Sequence, residues 1–324
     1  MSLAFAQRGL PVPAPPVRGP LRLAFVGQST FFAACSLGDE RPDVQTTFIE
    51  FRQGADAPKM RAAVDAFAPH VVAVFRPEIV PAGLFADLPA LTLGFLTEPI
   101  PRTGGRGHPD LERRLGELRA VDPHNFDRHV SFDPLIAETA ATVLPVWRSA
   151  PLPVADRCFA AVRPIQGRPR VLFVGRSTHH REVILGPAKH DFDVLHMAFG
   201  VGAGELEQLL GEHEVGINVH NEPYPSFENR VALHLAAGHL VFSERLSPLH
   251  GLEPGIDFLE IDSPQGLHHA LGMLARYPGL WHRVRVRGRR KAELFRASRI
   301  WPRLAGDLLR DVAAFGTPHR RAAA

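Results

Sequence analysis

Two segments of this 324-residue sequence combine residue types suited to holding an anion. The denser one is His220-Asn-Glu-Pro-Tyr-Pro-Ser-Phe-Glu-Asn-Arg230, followed by Val-Ala-Leu-His-Leu-Ala-Ala-Gly238. The pattern predicts a strand that ends at His220, a proline-bracketed polar loop, and a helix over 227–237. Ser226 suits the N-cap, since its hydroxyl can accept an otherwise orphaned backbone N–H. The first turn of such a helix carries unpaired N–H groups and partial positive charge, a natural seat for phosphate. Arg230, one turn in, adds a full charge. Gly238 tolerates the left-handed cap that ends a helix, and Phe227, Val231 and Leu235 form a core stripe. The polar loop itself, with His220, Asn221 and Glu228, is the functional candidate. The second segment holds Gly175, Arg176 and Arg181. Arginine matches phosphate with a planar fork of two donors, and Arg176 follows a glycine at a strand exit. The counterpart in the first half is Gly27, Gln28, Ser29 and Thr30. It lacks an arginine, which suits a neutral acceptor.

General bases are less defined. His124, His129, Asp127 and Asp133 cluster in the first half, and Glu98 ends an apolar strand in Thr97-Glu98-Pro99. His124, Asp133 and Glu98 are the catalytic candidates. With 17 histidines in the chain, a lone one carries little weight. His179 and His180 are expected in a loop without a third ligand at metal spacing, so no metal is implied. The sequence holds no Gly-x-Ser-x-Gly elbow, which argues against a serine hydrolase. It has neither a Walker loop nor a full Gly-x-Gly-x-x-Gly, which argues against a dinucleotide cofactor. No cofactor is expected beyond a nucleotide substrate.

The elements that position these residues repeat. Arg22-Leu-Ala-Phe-Val-Gly-Gln-Ser-Thr30 recurs as Arg170-Val-Leu-Phe-Val-Gly-Arg-Ser-Thr178. Each is a short apolar run ending in glycine and small polar residues, as a buried parallel strand meets the loop before a helix. The copies lie about half a chain apart, so each is expected to open its own Rossmann-like unit. In the first half, strands are predicted over 46–51, 71–75 and 91–95, with helices over 59–67, 111–118 and 135–143. In the second, strands are predicted over 194–198, 215–220, 239–242 and 258–261, with helices over 205–210, 227–237 and 265–276. Such alternation implies right-handed βαβ units and parallel sheets. The fold class is therefore α/β, with two Rossmann-like domains facing across a cleft. Ligands of open α/β sheets bind beyond the carboxyl ends of the strands, so the loops after Gly27, Gly175 and His220 point into the expected site.

The domain plan follows from composition. Prolines 11, 13, 15 and 16 make residues 1–19 a disordered leader rather than a signal peptide. Residues 20–145 form the N-terminal domain and 170–316 the C-terminal one. The Pro-rich stretch 146–169 is the linker, and 317–324 is a tail. Net charge is only +3, too small an excess to argue for nucleic acid. Much of it lies over 283–299, which predicts a solvated basic helix face and at most peripheral membrane contact. No apolar run is long enough to span a bilayer. Cys35 and Cys158 have no partner at ligand spacing, which fits a reducing cytoplasm.

The residues Phe173-Val-Gly-Arg-Ser-Thr178 with Arg181-Glu182, Ile217-Asn-Val-His220, Ser226-Phe-Glu-Asn-Arg230 and Ala236-Ala-Gly238 resemble the CgeB-like (spore-protein type) glycosyltransferases. Gly251-Leu-Glu-Pro-Gly255, Phe258-Leu-Glu260 and Asp262-Ser-Pro264 continue the likeness over about 170–278. The resemblance implies a GT-B fold, a nucleotide-diphosphate sugar as donor, and Gly175, Arg176, Ser226, Phe227 and Arg230 lining the donor side. The N-terminal half becomes the acceptor side, for a glycan, protein or small molecule. Related enzymes commonly carry Glu where this chain has Leu233, and that Glu is expected to hold the donor ribose. The alternatives are a non-catalytic GT-B module that binds nucleotide, glycan or a partner, and, further off, a nucleotide-sugar epimerase.

Overall fold

The computed structural model describes residues 19–38, 41–102, 110–198 and 201–316. The tail at 317–324, and all of the leader except Gly19, fall outside them. The chain divides into two compact units. Residues 1–152 with 297–324 make the first, and 153–296 the second.

The first unit is built on a parallel sheet of β1 (Leu21–Gly27), β2 (Val44–Glu50), β3 (Val71–Phe75), β4 (Leu91–Leu96), β5 (Arg128–Ser131) and β6 (Arg148–Ser149). Its order is β2-β1-β3-β4-β5-β6. β3 and β4 are buried at every residue, the continuous apolar run that a parallel strand covered on both faces requires. Around the sheet lie α1 (Ser29–Phe32), α2 (Ala57–Phe67), α3 (Leu111–Arg119) and α4 (Ala137–Ala141).

The second unit holds β7 (Val171–Val174), α5 (His179–Asp191), β8 (Val194–Met197), α6 (Ala203–Glu212), β9 (Val215–Asn218), α7 (Asn229–Ala236), β10 (Leu240–Ser243), β11 (Leu259–Glu260), α8 (Pro264–Arg276) and α9 (His282–Lys291). Its parallel sheet has the order β11-β10-β9-β7-β8. The two sheets thus share one topology, with the repeated segment supplying the first strand of each. On one side of that strand lies the second strand, and on the other the third. The chain reverses direction there, which opens a crevice at the carboxyl ends of β1 and β3 in one unit, and of β7 and β9 in the other.

The last helix, α10 (Ala297–Phe315), belongs to the first unit. Trp301, Leu304, Leu308 and Val312 form its buried stripe. The Trp301 ring packs edge-on to Phe25 at 4.9 Å and Phe95 at 5.8 Å, and its Nε1 donates to Cys35 O at 2.8 Å. The sequence plan places residues 297–316 with the second domain. They differ because the apolar stripe finds its complement on the first sheet. The stretch 146–169 also divides: Arg148–Ser149 extends the first sheet as β6, and the boundary falls after Leu152. Cys35 and Cys158 are buried, one in each unit. Among the described residues no helix is long and apolar enough to cross a membrane.

The basic stretch expected to be a solvated face is largely consumed in structure. Arg285 is buried, donating from Nε and Nη2 to Gly238 O and from Nη1 to Arg163 O. Arg289 donates to Ala160 O, and Lys291 to Gly251 O. These cations complete the C-terminus of α7 and its neighbouring loops, where orphan carbonyls need donors.

Candidate functional site

The crevice between β7 and β9 is where the sequence candidates of the second unit converge. β7 ends at Val174 and the chain turns through Gly175–Thr178 into α5. Thr178 caps that helix, its Oγ1 accepting Arg181 N–H at 3.3 Å. His179 and His180 are therefore the first helical residues, not loop residues. Gly186 and Pro187 weaken the helical pattern in the sequence, and only the Thr178 cap marks where the helix starts.

Two cross-links tie the β7 loop to the β9 loop. Arg176 Nε donates to Asn221 Oδ1 at 2.9 Å, and Thr178 Oγ1 donates to Asn221 O at 3.0 Å. The three arginines differ sharply in their situations. Arg181 is 3% exposed and spends its donors on Val219 O, Arg176 O and the Glu228 carboxylate. Burial, and then the neighbouring Arg230, lower its pKa to about 10. Arg230 reaches Asn218 Oδ1 at 3.2 Å and Val219 O at 3.0 Å through Nη1, while its Nη2 lies 2.5 Å from Glu228 Oε2. Arg176 is exposed, and among the described residues its Nη groups meet no acceptor. It is the one cation of the three with both terminal donors open.

The Phe173 ring lies beneath the two inner guanidinium groups, 5.3 Å from Arg181 Cζ and 5.1 Å from Arg230 Cζ. Gly175 covers them. A Cβ there would stand 3.1 Å from Arg230 Nη2 and 3.2 Å from Arg181 Nη1, so any side chain at this position presses on both guanidinium groups. Glu228 completes the group, with Oε1 at 3.5 Å from His220 Nδ1. Burial would raise the Glu228 pKa, but Arg230, the His220 hydrogen bond and Arg181 outweigh it and hold the carboxyl at about 2.

Several expectations shift in detail. α7 begins at Asn229 with Glu228, not Ser226, in the cap position. Ser226 is buried, and its Oγ lies 3.2 Å from His220 Nδ1. The His220 ring is oriented by Nε2, which donates to Arg245 O at 2.9 Å. Ser226 thus serves the imidazole instead of the helix. Phe227 faces the core, 5.5 Å from the Phe295 ring and 4.7 Å from His250. Leu233 is buried on α7. A site residue absent from the sequence candidates is Glu244, beyond β10, which holds His220 N–H at 2.6 Å and His180 Nε2 at 2.8 Å. Its signal was a carboxylate straight after the apolar run Leu240–Ser243.

In the first unit, Gly27 packs closely on Phe75 and leads into α1, formed by Ser29 and Thr30 after Gln28. The start of α1 already holds a carboxylate: Ser29 N–H donates to Glu50 Oε2 at 2.9 Å. Burial would raise the Glu50 pKa, but the bonds from Ser29 and Arg52 lower it. Glu98 follows β4 and pairs with Arg114 at 3.0 Å. Asp133 follows β5, accepts Leu135 N–H at 2.8 Å and lies 3.4 Å from Arg102; burial raises its pKa. His124 precedes β5, in the turn Pro123–Asn125, and so stands at the amino end of the sheet, away from Glu98 and Asp133. His129 is buried inside β5 against Gly94. Sequence reasoning missed Glu78, beyond β3, paired with Arg76 at 2.8 Å and raised in pKa by burial. Arg76 adopts φ 62°, a left-handed conformation unusual for a non-glycine residue. Among the described residues no group of three or more His, Cys, Asp or Glu is arranged around a metal position.

Solved structures share this architecture. HepE of Anabaena, in complex with UDP and glucose, aligns with a TM-score of 0.59 at 9% identity, covering 89% of this chain and 99% of HepE. The fold is that of the GT-B glycosyltransferases. The sucrose-phosphate synthase of Thermosynechococcus elongatus aligns with a TM-score of 0.53 at 13% identity, covering 92% and 100%. A glycosyltransferase of Rickettsia africae aligns with a TM-score of 0.53 at 10% identity, covering 91% of this chain and 100% of that one. No family model matches the sequence, and no curated protein matches it.

Proposed function

We propose that this chain is a glycosyltransferase, of hexosyltransferase and CgeB-like type, that transfers a sugar from a nucleotide-diphosphate donor. The observation that carries the reading is Arg176 at the β7–β9 crevice: Asn221 holds its Nε, and its two Nη groups meet no acceptor among the described residues. UDP and glucose in the HepE complex support the choice of ligand class. The transition state places positive charge on the sugar carbon and negative charge on the leaving diphosphate. Arg176, Arg230 and the first turn of α5 answer the second of these. No step in this scheme calls for a metal or cofactor.

The acceptor side belongs to the first unit. Glu50, Glu78, Glu98 and Asp133, at the carboxyl ends of its strands, are each beside an arginine. Such a charge-balanced lining suits a hydroxyl-bearing glycan, protein or small molecule. Glu98 and Asp133 remain the candidates for a base. We place the protein in the cytoplasm, with nucleic acid not among its partners and membrane contact at most peripheral. A second reading, a non-catalytic binding module, is favoured by Leu233: an apolar, buried residue stands where the resemblance implies a ribose-binding carboxylate. Release of nucleoside diphosphate from a panel of nucleotide sugars separates the two. Turnover that Arg176→Ala abolishes supports transfer; tight nucleotide binding with no turnover under any acceptor supports the module.

A further inference from the structure

We propose that Glu228 is a resident counter-anion of the donor site, against which the diphosphate must bind and which thereby hastens departure of the nucleoside-diphosphate product. The proposal rests on the donor-site reading above. Glu228 stands 2.5 Å from Arg230 Nη2 and 3.3 Å from Arg181 Nη2, in the cap position of α7 where an anionic ligand would otherwise find the helix terminus. It is not needed to hold either arginine. Arg230 keeps Asn218 Oδ1 and Val219 O, and Arg181 keeps Val219 O and Arg176 O. Phe173 below and Gly175 above confine both groups further. What the carboxylate contributes is therefore charge more than position.

That charge acts unequally along the reaction. When the bond between the sugar carbon and the diphosphate oxygen breaks, the oxygen keeps the electron pair. The product diphosphate then carries one more negative charge than it did as an ester. A fixed carboxylate repels the product more than the donor, so a strong anion site does not become a product trap. Arg176, which has no carboxylate partner among the described residues, holds the ligand throughout. Of the neighbouring carboxylates, Glu244 is occupied by His220 N–H and His180, and Glu182 by Ser177 and Lys189.

The experiment titrates wild type and Glu228→Gln with UDP and with inorganic pyrophosphate over a range of salt concentrations. The expected result is tighter binding of both probes by Glu228→Gln, roughly tenfold, with a steeper salt dependence and stronger product inhibition by UDP. Equal or weaker binding overturns the proposal. If Glu228→Gln does not fold, Arg181→Met is compared with Arg181→Met/Glu228→Gln, in which the remaining inner cation, Arg230, keeps Asn218 Oδ1 and Val219 O. The double variant should bind more tightly than the single, and equality again overturns the proposal. Wild type that binds UDP while Glu228→Gln gains nothing defeats the counter-anion alone. Failure of every protein to bind either probe defeats the donor-site reading together with it.

Discussion

Arg176 Nε donates to Asn221 Oδ1 at 2.9 Å, which joins the loop after β7 to the loop after β9, and both Arg176 Nη groups meet no acceptor among the described residues. Arg181, five residues on, has the opposite fate: its donors end on Val219 O, Arg176 O and Glu228. One guanidinium is available to a ligand, and the other is a staple beneath it.

The two arginines should therefore separate in mutagenesis. Arg176→Ala is expected to change stability by less than about 0.5 kcal/mol and to weaken UDP binding roughly tenfold or more. Arg181→Met leaves the buried Val219 O and Arg176 O without their Arg181 donors, removes one of the cations paired with Glu228, and should cost roughly 3 kcal/mol or more of stability. Chemical denaturation beside nucleotide titration checks both, and a large stability loss in Arg176→Ala would contradict the division of roles.

Gly175→Ala should act on function through packing. Its Cβ would sit 3.1 Å from Arg230 Nη2 and 3.2 Å from Arg181 Nη1, so the guanidinium groups must shift. A stability loss of about 1–3 kcal/mol with a larger proportional loss of UDP affinity is expected. Unchanged binding would mean that the Gly175 loop does not frame the site.

Acid should destabilise the second unit through a buried histidine pair. His239 Nε2 faces Leu210 O at 2.8 Å and must be the donor, so its Nδ1 accepts from His234 Nδ1–H at 3.0 Å. His234 Nε2 is left without a partner among the described residues. Burial lowers both pKa values, that of His239 to about 4. A depressed folded-state pKa means that the unfolded chain takes up the proton first as pH falls. The stabilisation is intact above about pH 6.5 and is lost between there and about pH 4, by roughly 3 kcal/mol for His239 alone. Unfolding free energies from pH 7.5 to 4.5 should fall, and His239→Phe should flatten part of that slope.

Much of this architecture is legible in the sequence, for physical reasons that also set its limits. β3 is predicted to the residue because Val71–Phe75 is buried on both faces and so is apolar throughout. The repeated strand exits at Gly27 and Gly175 mark both crevices, since each first strand adjoins the chain reversal. α10 is hidden because Pro302 and its flanking arginines blur the stripe that Trp301, Leu304 and Leu308 bury on the first sheet. Which arginine is buried is equally invisible, because Val219 O and Arg176 O reach Arg181 only through the tertiary fold. Ser226 looks like a cap locally but finds His220 instead, and Glu228 takes the cap position.

The basic helix offers a further check. Arg285 supplies two donors to Gly238 O at the end of α7, whereas Arg283 is exposed. Arg285→Leu should cost roughly 1.5–3 kcal/mol, and Arg283→Leu less than about 0.5 kcal/mol. Equal effects in thermal denaturation would restore the view of α9 as a solvated face.

The most direct test of the donor site is a calorimetric titration of wild type and Arg176→Ala with UDP, GDP, ADP and dTDP. Saturable binding of one nucleotide by wild type, weakened roughly tenfold or more in a folded Arg176→Ala, is the predicted result. Binding that is equal in the two proteins, or absent from a folded wild type, would contradict the assignment of the β7–β9 crevice as a diphosphate site.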